Sequence, residues 1–287
     1  MAFRGIVKLH NYNDLAKMGI VSYKHSMPAG DLLSLLPGLR QVYRASGNKA
    51  LIYQRVNLTY GDMGGAYAGA AYSIKDEKDT PVTMNMAVFS ALKPLLLHQD
   101  YIEDFVEWDG QKIDIDFDIL RQWDTTMPYG SINRWPFYLW PDMACDLSEP
   151  WLSCVAVEQS ESSGKILINR TERYNNMLVS YNFLKKYEDR VLFIGLPKEQ
   201  EVFNAQHKLS ILRLDCHDFL TIAIALKCCK LYIGNQSAIF QVAEGLKITR
   251  LLETLKQLPN VIGSGRGFYD YLHQNSLEYY VDKLFNE

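Results

Sequence analysis

The side chains best suited to chemistry stand in short polar stretches that each follow an apolar run. ILINRTER places Arg170, Thr171 and Arg173 after one run, and GLPKE places Gly195 and Glu199 after another. DCHD supplies Asp215 and Asp218, and GNQS supplies Gly234, Asn235, Gln236 and Ser237. Together they offer guanidinium groups, hydroxyls, a flexible glycine turn, carboxylates and a helix start. Backbone N–H groups at such a start, helped by the helix dipole, hold phosphate without a fixed positive charge. That is what a nucleotide diphosphate requires. Arg170 and Arg173 would neutralise it, and Glu199 and Glu244 would grip ribose hydroxyls. Plainer roles compete: solvated arginines, solvated helix carboxylates, and N-caps for Ser237 and Asp218.

These stretches depend on the elements that carry them. Residues 18–30 read as a strand and a Pro/Gly loop, DLLSLLPGLRQVYRASG as an apolar-faced helix that Pro37 interrupts or kinks, and NKALIYQRVNL as a buried strand, so 18–58 is a β-α-β unit. YGDMGGAYAGAAYS follows as a small-residue loop, either a surface connector or a place where another backbone or a ligand approaches closely. Residues 82–108 read as a helix after a short strand, and 109–150 alternate acidic and aromatic residues without clear period. DIDFD at 114–118 reads as a solvated acidic strand or loop.

Beyond Pro150 strands alternate regularly with helices, the pattern of a parallel, doubly wound sheet. NNMLVSYNFLKKYED reads as one of these helices, and the tail from Gly265 as a final amphipathic helix. The fold class expected is α/β, two Rossmann-like domains facing across a cleft, residues 1–150 and 151–287, the last helix able to return to brace the first domain. Ligands of such sheets bind beyond the carboxyl ends of the strands, where the polar stretches fall.

The 287 residues suffice for two ordinary domains. At 48% hydrophobic and 22% charged residues, with a net charge of -3, the chain reads as soluble and globular, with no general attraction to nucleic acid or anionic lipid. Five cysteines without a CxxC pair fit a reducing cytoplasm. No run approaches the roughly 18 apolar residues of a membrane span, so a soluble intracellular chain, or one peripheral at a membrane, is expected. There is no GxGxxG after the first strand, no GxxxxGK[ST], no GxSxG and no HExxH, which lowers the standing of hydride transfer, phosphoryl transfer and serine or zinc hydrolysis.

AGDLLSLLPGLRQVY resembles the amino-terminal motif of the heptosyltransferase-type glycosyltransferases, glycosyltransferase family 9, in which Gly-Asp precedes an apolar helix containing Leu-Pro-x-Leu-Arg. Residues 165–252 are similar to that family's nucleotide-sugar half, with ILINRTER, GLPKE and GNQSA in the matching order. The resemblance covers about half the chain and implies Asp31 as general base, Glu199 on the donor ribose, and the backbone of Gly234, Asn235, Gln236 and Ser237 on the diphosphate. Departures stand at Gln236, Ser237, Ala238 and Gln241, where the family has Asp, Thr, Gly and His. It implies an inverting, metal-independent transfer of a sugar from a nucleotide-diphosphate donor, which is substrate and not cofactor, to a glycan, lipid-linked or other hydroxyl acceptor. A catalytically silent nucleotide-sugar-binding or assembly protein of the same fold is the alternative, and a two-domain sugar-nucleotide epimerase a third. For Asp31 the plainer role is a helix N-cap, and His25 is a second candidate base, otherwise a partly buried polar residue.

Overall fold

The computed structural model describes residues 18–59, 74–121, 130–155, 157, 160–257 and 260–286; the small-residue loop at 60–73 lies outside them. The chain divides into two compact units, Met1–Asp146 and Leu147–Glu287.

In the first unit β1 (Ile20–His25) leads into α1 (Ala29–Ser46), which runs through Pro37 and buries Leu32, Leu33, Leu36, Leu39 and Val42. Gly47 ends it in the left-handed region (φ 77°), where its N–H reaches the Tyr43 carbonyl and a side chain would be strained. β2 (Lys49–Gln54), α2 (Met86–Leu97), β3 (Ile102–Glu107) and β4 (Ile115–Asp116) complete a parallel four-stranded sheet in the order β3-β2-β1-β4.

The single helix expected over 82–108 is thus a helix and a strand. β3 buries Ile102 and Phe105, a spacing of three that imitates helical periodicity. A register shift produces it: Ala50 pairs with Ile102 but Leu51 with Asp104. The extra residue in β3 moves the alternation to the other phase.

Nor is DIDFD a solvated segment. Asp114 accepts from the Ser22 N–H (2.9 Å) and hydroxyl (2.6 Å), Lys24 donates to Asp116 (2.9 Å), and Ser26 donates to Asp118 (2.6 Å). Lys24 also pairs with Asp118 at 2.9 Å. Burial works against the Lys24 charge, but the two carboxylates outweigh it and its pKa is raised. Ser22, Lys24 and Ser26, alternate residues in and just beyond β1, therefore each meet an acid on the segment that joins the sheet beside it.

The second unit holds β5 (Ile166–Asn169), β6 (Val191–Phe193), β7 (Leu212–Arg213), β8 (Leu231–Gly234), β9 (Arg250–Glu253) and β10 (Phe268–Tyr271), all parallel, in the order β10-β9-β8-β5-β6-β7. The order reverses between β5 and β8, so a crevice is expected beyond their carboxyl ends. The helices are α4 (Pro197–His207), α5 (Phe219–Cys228), α6 (Ala238–Leu246) and α7 (Gln274–Asn286), counting Trp135–Leu139 of the first unit as α3. Asp218 caps α5 by accepting from the Thr221 N–H at 2.7 Å, as its place before an apolar helix suggests.

Two expectations are corrected here. NNMLVSYNFLKKYED is helical only over Asn182–Arg190, as a 3-10 helix. Asn176 is drawn elsewhere: its N–H donates to Glu253 (2.5 Å) and its amide to the Leu272 carbonyl (2.8 Å), which competes with a helical turn there. The tail contains β10 before its helix, and α7 inserts Leu277, Val281 and Phe285 among Ile166, Ile168 and Phe193. The helix thus packs on its own sheet.

Candidate functional site

At the carboxyl end of β5, Asn169 is buried and holds two neighbouring loops. Its Nδ2 donates to the Ile194 carbonyl at 2.9 Å, and its Oδ1 accepts from the Ser237 hydroxyl at 2.8 Å. The Gly195 turn and the start of α6 are thereby fixed side by side at the strand-order reversal. A Cβ at Gly195 (φ 148°) would lie 2.8 Å from Glu199 Oε2 and 2.9 Å from Asn169 Nδ2, so glycine is required by backbone conformation and by space.

Glu199 is half-buried in the first turn of α4 and accepts from the Leu196 N–H at 3.0 Å. Burial pushes its carboxyl above the ordinary range, the Leu196 N–H lowers it, and Glu172 and Arg173 act in opposite senses. Ser237 is the N-cap of α6 and accepts from the Phe240 N–H at 3.1 Å. Ser237 and Ala238 are half-buried while residues 231–236 and 239–246 are buried. The helix thus presents its amino end, and little else, to solvent. Gly234 is demanded by the Tyr232 hydroxyl, which a Cβ would meet at 2.1 Å.

Asn235 is fully buried. Its Nδ2 donates to the carbonyls of Thr171 (3.1 Å) and Arg173 (2.6 Å), and its Oδ1 accepts from the Thr171 N–H (3.2 Å). It shapes the loop after β5. Gln236 is buried and donates to Asn260 Oδ1 at 2.8 Å. Arg173 is half-buried with its guanidinium 5.1 Å from the Tyr174 ring centre. Gln241 is buried in α6 at 3% exposure.

Two expected ligand residues belong to the core instead. Arg170 is buried and holds Glu253 in a two-pronged ion pair, Nε to Oε2 at 2.8 Å and Nη2 to Oε1 at 2.9 Å. Its remaining donors reach the Asn176 carbonyl and Gln206. Glu253 also accepts from Tyr181 at 2.7 Å, and the Tyr181 and Tyr271 hydroxyls are in close contact. Burial raises both phenols well above their usual pKa. Glu244 is likewise enclosed, accepting from Arg250 Nε (2.5 Å), the Ser264 N–H (3.0 Å) and Lys247. A buried partner charge holds each of them elsewhere, because a buried charge left unpaired is costly.

In the first unit Asp31 is not the N-cap of α1: that position is Pro28, and Asp31 lies in the first turn. It lines a small cavity, with room for about one water, that His25 and Ser34 also line. The walls are Met27, Leu35, Phe117, Leu120, Ile132 and Trp135. These residues follow β1 and β4, neighbours where the order of this sheet also reverses.

His25 is buried, not partly exposed, and its Nδ1 lies 2.8 Å from Gln54 Oε1. The Gln54 amide nitrogen donates to the Arg55 carbonyl at 2.9 Å, which orients Oε1 as an acceptor and places the imidazole proton on Nδ1. Nothing in the sequence marked Gln54 for this part, since the two meet only by β1–β2 pairing. Asn169 had the one signal of a polar residue ending an apolar run. Among the described residues no group of three or more His, Cys, Asp or Glu side chains is arranged to hold a metal ion, and no helix is long and apolar enough to cross a membrane.

No family model matches the sequence, and no curated protein matches it. Solved structures do match in fold. The glycosyl transferase family 9 protein of Veillonella parvula aligns over 92% of this chain and 88% of its own, with a TM-score of 0.58 at 11% identity. Heptosyltransferase WaaC of E. coli, solved with ADP, aligns over 92% and 99%, with a TM-score of 0.59 at 10% identity. The E. coli ADP-heptose lps heptosyltransferase II aligns over 93% and 98%, with a TM-score of 0.53 at 11% identity. The chain shares the α/β fold of these glycosyltransferases across nearly its whole length.

Proposed function

We propose that this protein is a glycosyltransferase using a nucleoside-diphosphate sugar, inverting and metal-independent in mechanism. The observation that carries the proposal is the second unit's crevice: the amino end of α6, the Gly195 turn and Glu199 meet at the strand-order reversal, in a fold shared with a heptosyltransferase solved with ADP and with an ADP-heptose heptosyltransferase. The diphosphate would sit on the N–H groups opening α6 with Arg173 as its cation, and Glu199 would accept from ribose hydroxyls. Thr171 adds a hydroxyl to the loop facing it. Arg170 and Glu244 have no part in this version of the site.

Asp31 would act as general base, taking the proton from the acceptor hydroxyl as that oxygen attacks the anomeric carbon opposite the departing diphosphate. The carbon–oxygen bond to the diphosphate breaks with its electron pair, and the helix N-terminus and Arg173 stabilise the charge that develops. His25 Nε2 is the alternative base.

The second candidate is a catalytically silent binding protein of the same fold. The side chains of Asn235 and Gln236 are tied to neighbouring loops, and the buried Gln241 stands where the resembled family has histidine.

Thermal shift against a panel of nucleotide sugars separates the outcomes. A transferase shows a rise in Tm with at least one donor, and Asp31→Asn keeps that rise while abolishing turnover and slow donor hydrolysis. A rise without turnover or hydrolysis favours the silent protein. No shift with any nucleotide or nucleotide sugar rejects both.

A further inference from the structure

We infer that Tyr232 is a positioning residue of the diphosphate seat: its hydroxyl takes over the hydrogen bond that Ser237 gives up when the serine turns to a phosphate oxygen. The inference deepens the proposed function and rests on it for the ligand.

Tyr232 is fully buried in β8, yet its hydroxyl has no hydrogen-bond partner of acceptable geometry. Burying an unpaired hydroxyl is costly, and phenylalanine in the same place would escape that cost. The hydroxyl is directed at the carboxyl end of the strand. A Cβ on Gly234 would overlap it, and it lies beside the Ser237 side chain. Asn169 is the Cα partner of Gly234 across the β5–β8 pair, and paired residues of parallel strands face the same side of the sheet. Tyr232, two residues before Gly234, shares that side. Three oxygens therefore gather at the start of α6: Tyr232 Oη, Ser237 Oγ and Asn169 Oδ1.

The protons decide which of them can serve a ligand. A serine hydroxyl has one proton. In the free protein Ser237 commits it to Asn169 Oδ1 at 2.8 Å, while the same oxygen accepts from the Phe240 N–H at 3.1 Å. An ionised phosphate oxygen can only accept, so Ser237 serves one by withdrawing its proton from Asn169. Asn169 cannot answer by turning its amide over, because Nδ2 is held by the Ile194 carbonyl at 2.9 Å.

The buried Asn169 Oδ1 then needs another donor, and the phenol beside it has a proton to give. Burial raises the Tyr232 pKa, so the group stays protonated at neutral pH. Turned toward the Asn169 amide oxygen, that proton restores the bond which Ser237 released. The free protein thus carries one unpaired hydroxyl and the liganded protein none. A site built this way gives up stability in the free state and recovers it on binding.

The test uses the full chain, inorganic pyrophosphate as the probe in titration calorimetry, and three variants: Tyr232→Phe, Ser237→Ala and the two combined. Tyr232→Phe should keep or raise the urea midpoint, since it removes a hydroxyl unpaired in the free protein, and should weaken pyrophosphate binding about three- to tenfold. On the Ser237→Ala background the same change should have no further effect, because the phenol acts through the serine. A lower urea midpoint with unchanged affinity would make the hydroxyl a structural donor and overturn the inference, as would an equal loss of affinity with and without Ser237. Nucleotide-sugar turnover on the same samples reports separately. Pyrophosphate binding with the expected coupling but no turnover rejects the transferase and leaves the role of Tyr232 standing. Uncoupled pyrophosphate binding beside intact turnover rejects the inference alone, and a wild type that binds no pyrophosphate rejects the seat and the inference together.

Discussion

Arg170→Met distinguishes an arginine that builds the core from one that binds diphosphate. Arg170 and Glu253 are 5% and 0% exposed and joined by two hydrogen bonds of 2.8 and 2.9 Å. Removing the guanidinium leaves the Glu253 carboxylate buried with the Asn176 N–H and the Tyr181 hydroxyl as donors and no cation. Breaking such a pair costs about 3–5 kcal/mol, a large share of the roughly 5–15 kcal/mol that holds a domain together. For a unit of this size the second unit's Tm should fall by about 10–17 °C.

Arg170→Met/Glu253→Met removes both charges and should recover most of the loss. What remains is the loss of partners at the Asn176 N–H and carbonyl and at Gln206, about 1–3 kcal/mol, while Tyr181 keeps Tyr271. Urea unfolding followed by circular dichroism gives the three free energies and the coupling between the sites. If Arg170→Met costs under about 1 kcal/mol and instead removes the nucleotide-induced shift in Tm, Arg170 faces the crevice and its assignment to the core is wrong.

Other outcomes follow from the same geometry. Gly195→Ala forces a side chain at φ 148° into Glu199 and Asn169, and should cost about 1–3 kcal/mol and weaken nucleotide binding together, read by denaturation and thermal shift. Ser237→Ala removes the cap of α6 and should cost about 1 kcal/mol; a fall in nucleotide affinity beyond tenfold at unchanged fold would make Ser237 a ligand as well. His207 is held neutral, its pKa lowered to about 4 by burial and by Arg170. The unfolded chain takes up the proton first, so stability should be flat above pH 7 and decline as pH falls from about 6.5 toward 4. His207→Phe should remove most of that slope in pH-dependent unfolding, and an unchanged slope would refute the assignment.

The sequence by itself determined the alternation of strands and helices in the second unit, because apolar runs bounded by polar stretches depend on local composition alone. It also placed Asp218 as a cap, since capping is settled within one turn, and it located the Gly195 and Ser237 junctions where strands end. Tertiary structure decided the rest. Ile102 and Phe105 could not be told from a helix face, because their spacing comes from a register shift against Ala50 and Leu51. Arg170 and Glu244 carry the charges a diphosphate and a ribose would want. Which way they point was settled by Glu253 and Arg250, each paired through folding, where leaving a buried charge unpaired outweighs any local preference. The cavity beside Asp31 is of the same kind: its floor draws on Phe117, Ile132 and Trp135, which are remote in sequence from Asp31. Only the parallel pairing of β1 with β4 and the packing of the following segment gather them.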